Sequence, residues 1–143
     1  MFFLEKLKTQ FRYFAKKREL LKRVAILIVS SGRTGTKFFE YFFNQIDSKA
    51  IVFHEPKPDF FNLGVKKIRG GKSRKHIIKE IVLNRGKLLR KITKSKNVKN
   101  STYIESNPFL YPILNEFSSV FKSVKIIYIT RNPKTYLISA YNK

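Results

Sequence analysis

The chain has 143 residues and no cysteine, which allows one domain with a modest core and excludes disulfides, thiolate metal sites and a cysteine nucleophile. Its hydrophobic content of 43%, with 14 Phe and 7 Tyr, is too high for a disordered chain even at a formal net charge of +22. There are only two histidines, His54 and His76, and this scarcity argues against a metal site.

The positive charge is concentrated in two segments. Residues 1–23 carry eight basic and two acidic side chains, and residues 62–102 carry 14 basic side chains and one acidic side chain. The first segment predicts a basic amphipathic helix that packs Phe3, Leu7, Phe11 and Phe14 onto the domain or, alternatively, contacts an anionic membrane surface peripherally. It lacks the uninterrupted apolar run of a signal peptide or a membrane span, and this predicts a cytoplasmic location.

Apolar runs and helical spacing predict alternating strands and helices after the first segment. The predicted strands are VAILIV within 24–30, IVFH at 51–54, TYIES at 102–106 and VKIIYIT at 124–130. The predicted helices span about 36–46, 73–92, 108–121 and 133–141. One interpretation has Gly86 splitting the second of these helices. The alternation predicts a three-layer α/β fold with a central parallel sheet flanked by helices.

The loop between the first strand and its helix, SSGRTGT, has the composition of a phosphate-binding loop. Ligands of parallel sheets collect at the carboxyl ends of the strands, where this loop lies. Gly32 and Gly35 allow the backbone to approach an anion, and Thr34 and Thr36 add hydroxyls to the N–H groups at the helix start. We therefore expect this loop to bind phosphate.

The same loop departs from the nucleoside-triphosphate pattern G-x-x-x-x-G-K-S/T. Here Lys37 follows a threonine, and Phe38 stands where that pattern has a hydroxyl that binds magnesium. A small-molecule kinase with a degenerate loop remains an alternative, but the fourth strand ends in Arg131 and not in an acidic metal ligand. The sequence thus predicts phosphate binding without a metal.

SSGRTGTKFF resembles the donor loop of the sulfotransferases, whose members carry K/R-S/T-G-T-T/S after the first strand. The resemblance implies binding of 3′-phosphoadenosine 5′-phosphosulfate, with no metal or further cofactor. By position, Arg33 would contact the transferring sulfonate and bridging oxygen, and Thr34, Gly35 and Thr36 would hold the 5′-phosphate. Lys37 departs from the family, which commonly has a hydroxyl there.

A second stretch, VKIIYITRNPKTYLISAYNK, is similar to the other donor motif of this family. There a strand is followed by R-D/N-P and then by a serine before an aromatic residue, here Arg131, Pro133, Ser139 and Tyr141. The resemblance implies that Arg131 and Ser139 bind the 3′-phosphate. A planar guanidinium leaving the end of a strand suits that role.

The resemblance implies an enzyme that transfers a sulfonate group to an acceptor hydroxyl, on a carbohydrate or another molecule. Arg33 would stabilise charge on the leaving phosphate, and Glu55 or His54, in the loop after the second strand, would act as general base. Of the two candidates for the general base, Glu55 is slightly preferred. Asn107 either lines the cleft or caps the helix after it, and Glu105 is a candidate for pairing with a nearby Arg or Lys.

The motifs divide the chain into a helix at 1–23 and a partial sulfotransferase domain at 24–143 with a basic helical insertion at 62–102. The family's downstream glycine-rich basic segment has no counterpart here, so the sheet is expected to be incomplete at its C-terminus. The insertion is expected to supply acceptor contacts. The alternative is a non-enzymatic binder of polyanions or nucleic acid, although residues 63–102 contain no aromatic side chain to stack on bases.

Overall fold

The computed structural model describes residues 2–31, 35–95 and 101–141. Four parallel strands form one sheet in the order β2–β3–β1–β4, which confirms the predicted α/β class. The strands are β1 Val24–Ser30, β2 Ile51–His54, β3 Tyr103–Ser106 and β4 Ser123–Ile129. Each lies where an apolar run predicts it.

Helices flank the sheet. They are α1 Phe2–Leu20, α2 Thr36–Ile46, α3 Phe61–Ile68, α4 Arg74–Ser95, α5 Leu114–Phe117 and α6 Pro133–Tyr141. A 3₁₀ helix, Pro108–Ile113, precedes α5. No helix in these described ranges is both long and apolar enough to cross a bilayer.

The predicted single helix over 108–121 is wrong. The segment Pro108–Ile113 is a 3₁₀ helix with Pro112 inside it. The ring of Pro112 would clash with the carbonyl of Pro108 in an α-helix, and its missing N–H removes one ladder bond, so the α-helix is disfavoured there. The short α3, which periodicity does not predict, packs against this turn. A Cβ on its Gly64 would lie 3.1 Å from Pro112 Cγ, so the glycine permits the close contact.

β1 is the centre of the sheet and of the core. It pairs with β3 on one side and with β4 on the other, and it is buried from Leu27 to Ser30. Complete burial of a side chain such as Leu27 or Ile28 contributes roughly 1.5–3 kcal/mol to folding. Burial in the core therefore fixes the position of β1, the strand that leads into the glycine loop.

α1 crosses α4 at a glycine, and α4 runs unbroken through it. A Cβ on Gly86 would lie 2.7 Å from Lys16 Cβ, so glycine is needed for the two helices to approach this closely. The interpretation in which Gly86 splits the helix is wrong, because tertiary contact with α1 accounts for the glycine.

The predicted packing face of α1 is also wrong. Leu7, Phe11 and Phe14 are exposed, whereas Leu20 is fully buried and Tyr13 packs against the core. The side chain of Phe3 lies outside the described residues. Residues 13, 16 and 20 lie on one side of a helix, and this side meets α4 at Gly86. The stripe of Leu7, Phe11 and Phe14 consequently faces solvent.

β4 is an outer strand of the sheet, with β1 as its partner. Ile126, Ile127 and Tyr128 are exposed, so neither face of the strand is fully covered in the described ranges.

Candidate active site

The carboxyl ends of the four strands meet at one edge of the sheet. The register places Ile28 and His54 beside Ser106, and it places Ser30 beside Ile129. The loops that follow the four strands therefore start from the same edge, where ligands of parallel sheets bind.

The glycine loop enters α2 through Gly35, which has a left-handed φ of 76° that favours glycine. Thr36 opens the helix, is buried, and accepts a hydrogen bond at its carbonyl from Ser106 Oγ at 3.0 Å. The N-terminus of α2 is thereby fixed to β3 and carries the partial positive charge that favours anions. Lys37 is exposed. Gly32, Arg33 and Thr34 lie outside the described residues.

The predicted 3′-phosphate residues follow β4. Arg131 is exposed, and its Nε donates to Thr135 Oγ1 at 3.2 Å. Asn132 caps α6 as predicted, because its Oδ1 accepts from the Lys134 amide at 2.9 Å. Ser139 belongs to α6, but its side chain lies outside the described residues. Arg131 and the glycine loop thus leave neighbouring strands of the sheet.

The two candidate bases lie at the end of β2. His54 Nε2 is 3.9 Å from Glu55 Oε1, and His54 Nδ1 is buried without a hydrogen-bond partner among the described residues. Glu55 has a left-handed φ of 43°, and its amide donates to the Ser106 carbonyl at 2.9 Å. β3 lies between β2 and β1, so these candidates stand about 10 Å along the edge from the glycine loop.

A buried ion pair, which the motifs do not identify, fixes the loop after β2. Arg85 of α4 donates to Glu105 of β3 through Nε at 2.8 Å and Nη2 at 2.6 Å, and both side chains are fully buried. Arg85 Nη1 also donates to the Pro58 carbonyl at 2.9 Å, and its guanidinium lies 4.0 Å above the centre of the Phe60 ring. Arg85 thus joins α4, β3 and residues 55–60.

Two further polar side chains complete the environment of Glu105. Tyr103 Oη donates to Glu105 Oε2 at 2.5 Å, and Asn107 Nδ2 donates to Glu105 Oε1 at 2.9 Å. Burial, followed by the adjacent Glu105 charge, raises the pKa of Tyr103 well above its ordinary value. Burial acts to lower the pKa of Arg85, but attraction to Glu105 outweighs it and the net pKa is raised. The expectation that Glu105 pairs with a basic residue is confirmed.

Asn107 serves as a helix cap and also joins the loop after β2 to β3. Its Oδ1 accepts from the Phe109 amide at 3.0 Å, and its Nδ2 donates to the Asp59 carbonyl at 3.1 Å as well as to Glu105. The capping interpretation is therefore confirmed. The side-chain amide is engaged in positioning the loop.

Within the described ranges, no group of three or more His, Asp or Glu side chains lies close enough together to hold a metal ion. Independence of a metal stays a prediction.

A strand, a glycine loop and a helix at the carboxyl edge of a parallel sheet are the parts of a phosphate-binding α/β domain. The family model described as the sulfotransferase domain matches residues 23–143. The chain therefore belongs to the sulfotransferase family, as its two motifs indicate. The match includes the basic segment 62–102, for which the motifs gave no counterpart. No curated protein and no solved structure matched the chain.

Proposed function

We propose that this chain binds 3′-phosphoadenosine 5′-phosphosulfate at the carboxyl ends of β1 and β4 and transfers its sulfonate to an acceptor hydroxyl. The observation that carries this proposal is the pairing of Ser30 with Ile129, which places the two motif loops on adjacent strands. A single nucleotide carrying phosphates at its 5′ and 3′ positions would bridge loops arranged in this way. Sulfonate transfer in general is the activity of the family to which the chain belongs.

The proposed donor site has two parts. Arg131 and Ser139 would bind the 3′-phosphate, since a guanidinium gives charge-assisted hydrogen bonds to phosphate oxygens. The 5′-phosphosulfate would lie against the glycine loop and the N-terminus of α2, within reach of Gly32, Arg33, Thr34, Gly35, Thr36 and Lys37.

The proposed reaction is an in-line displacement at sulfur. The acceptor oxygen forms a bond to sulfur, the bond from sulfur to the 5′-phosphate oxygen breaks, and adenosine 3′,5′-bisphosphate leaves. Arg33 would stabilise the charge that develops on the leaving phosphate. The acceptor proton would pass to Glu55 or to His54, and the greater exposure of Glu55, 38% against 22%, supports Glu55 first.

Calorimetric titration with adenosine 3′,5′-bisphosphate and with adenosine 5′-monophosphate, both without magnesium, tests the donor site. We expect the bisphosphate to bind at least roughly tenfold more tightly, because its 3′-phosphate adds charge-assisted hydrogen bonds. Arg131→Ala should remove this preference, and Arg33→Ala should weaken binding of both nucleotides. Arg69→Ala, at an exposed position beyond α3, is the matched control and should change neither.

Two results would contradict the proposal. A folded protein that binds neither nucleotide has no donor site, and magnesium-dependent binding of adenosine triphosphate would indicate the kinase alternative instead.

Peripheral membrane contact through residues 1–23 also belongs among the proposals. The exposed Leu7, Phe11 and Phe14 of α1 support it, since an interfacial helix combines such a stripe with basic neighbours.

A further inference from the structure

A cavity of about 730 Å³ lies between α1, α4 and the loop that follows β2. Among the described residues that line it, six are basic and none is acidic: Arg12, Lys16, Lys57, Lys87, Arg90 and Lys91. Neither Arg131 nor any described residue of the glycine loop is among the residues that line it. The cavity is thus a second candidate anion site on this chain.

The fold brings these positive charges together at an electrostatic cost. The stem of Lys16 packs over Gly86, and its Nζ donates to the Leu83 carbonyl at 3.2 Å, so Lys16 is directed along α4. Burial, together with the charges of Arg90, Lys87 and Arg12, lowers the pKa of Lys16. Like charges held at a packed helix crossing oppose folding, and a bound anion would relieve this repulsion.

One acidic group near the cavity neutralises one of its six basic side chains. Asp59 pairs with Lys57 at 2.5 Å, on the loop side. The basic side chains of α1 and α4 that line the cavity have no acidic neighbour among the lining residues that the structure describes. A ligand with several anionic groups fits this distribution better than a single anion does.

The loop side of the cavity connects it to the candidate active site. Lys57 and Pro58 line the cavity, and Lys57 is only two residues after Glu55. Arg85 holds the same loop in place through the Pro58 carbonyl. A molecule in the cavity would therefore extend toward the end of β2, where the acceptor hydroxyl is expected.

We propose that this cavity binds an acidic oligosaccharide, with its sulfate or carboxylate groups held by Lys16, Lys87 and Lys91. Such a chain carries anionic groups for the basic walls and hydroxyls for the reaction. A concave site fits an oligosaccharide better than it fits the flat surface of a bilayer. The role of this oligosaccharide as acceptor rests on the proposed function, whereas its binding does not.

The test uses two probes of equal length, sulfated maltohexaose and unmodified maltohexaose, titrated by calorimetry at physiological ionic strength. We expect only the sulfated probe to bind. The double variant Lys87→Gln/Lys91→Gln should lose roughly tenfold in affinity, because it removes two ion pairs of modest individual strength. The control Lys75→Gln/Lys79→Gln removes the same charge from exposed positions of α4 outside the cavity, and it should lose less than about twofold.

Equal losses in the two double variants would overturn the proposal, because the charge of the chain would then act diffusely. Binding to vesicles that contain phosphatidylserine, with no binding of the sulfated probe, would overturn it in favour of a membrane surface. Titration of the same variants with adenosine 3′,5′-bisphosphate separates the two proposals. A chain that binds the sulfated probe in the cavity but no bisphosphate would contradict the donor site and leave the cavity assignment standing.

Discussion

Arg85 and Glu105 connect α4 and β3 to the loop that follows β2. Each is fully buried, and a buried charge is costly unless it is paired and hydrogen-bonded. Glu105 meets this condition with Arg85, Tyr103 and Asn107, and Arg85 meets it with Glu105 and the Pro58 carbonyl. The network orients the loop that carries Glu55 and the loop side of the basic cavity.

Replacing Arg85 by methionine should lower the free energy of unfolding by about 3–5 kcal/mol, because Glu105 would remain buried without its partner. Urea unfolding measures this loss. Lys79→Met on the exposed side of α4 is the control, and it should change the free energy by no more than about 0.5 kcal/mol. The double variant Arg85→Met/Glu105→Gln removes both charges and should recover part of the loss. If the double variant is less stable than Arg85→Met, the explanation by ion pairing is wrong.

The sequence makes one partner of this pair predictable but not the other. Glu105 is an acidic residue within the apolar run TYIES, so a basic partner is expected. Arg85 is one of 14 basic residues in 62–102, and its place in that segment does not distinguish it from its neighbours. The direction of its side chain depends on how α4 packs on the sheet, which is a tertiary property.

The crossing of α1 over α4 depends on Gly86. Gly86→Ala should lower the free energy of unfolding by about 1–2 kcal/mol, since the clash with the stem of Lys16 outweighs a helix-propensity gain of about 1 kcal/mol. Thermal or urea unfolding measures the loss, and hydrogen exchange should show reduced protection of α1. Gly71→Ala is the control, because the nearest atom to its Cβ would be 3.4 Å away. A variant as stable as the parent would show that α1 can shift at no cost.

The strands are more predictable than the helices in this chain. Each of the four strands contains a short run of β-branched or aromatic residues, a local composition that favours strands even in β4, whose faces are not fully covered. α1 contains two apolar stripes, and the more apolar one, with Phe11 and Phe14, is the exposed one. Hydrophobic periodicity identifies such a helix, but only the glycine at its crossing point shows which side is buried.

The relative position of the two donor motifs is predictable for a related reason. Both follow predicted strands, and carboxyl ends of parallel strands share one edge. Their adjacency, however, depends on the strand order β2–β3–β1–β4, and no local pattern encodes that order. The same strand order also determines that one strand, β3, separates Glu55 and His54 from the glycine loop.

The net charge of +22 should make the stability of the whole molecule depend on salt. Raising sodium chloride from about 0.05 to about 0.5 M shortens the screening length from about 14 to about 4 Å, which weakens self-repulsion. We expect the midpoint of thermal unfolding to rise by roughly 2–6 °C, equivalent to about 1 kcal/mol. Lys87→Gln/Lys91→Gln should melt at a higher temperature than the parent in low salt and respond less to added salt. A midpoint that falls with salt would mean that attractive ion pairs outweigh the repulsion.

The net charge also affects how the protein behaves in concentrated solution, because β4 is an exposed outer strand. β4 presents Ile126, Ile127 and Tyr128, and Lys125 is the only charged residue along its length. Within the described ranges, no strand pairs with the outer edge of β4. A strand edge of this kind is a template for joining to another chain, and repulsion between highly charged molecules keeps such edges apart. The salt that strengthens the fold also removes that protection, so crystallisation and calorimetry should work best at an intermediate ionic strength.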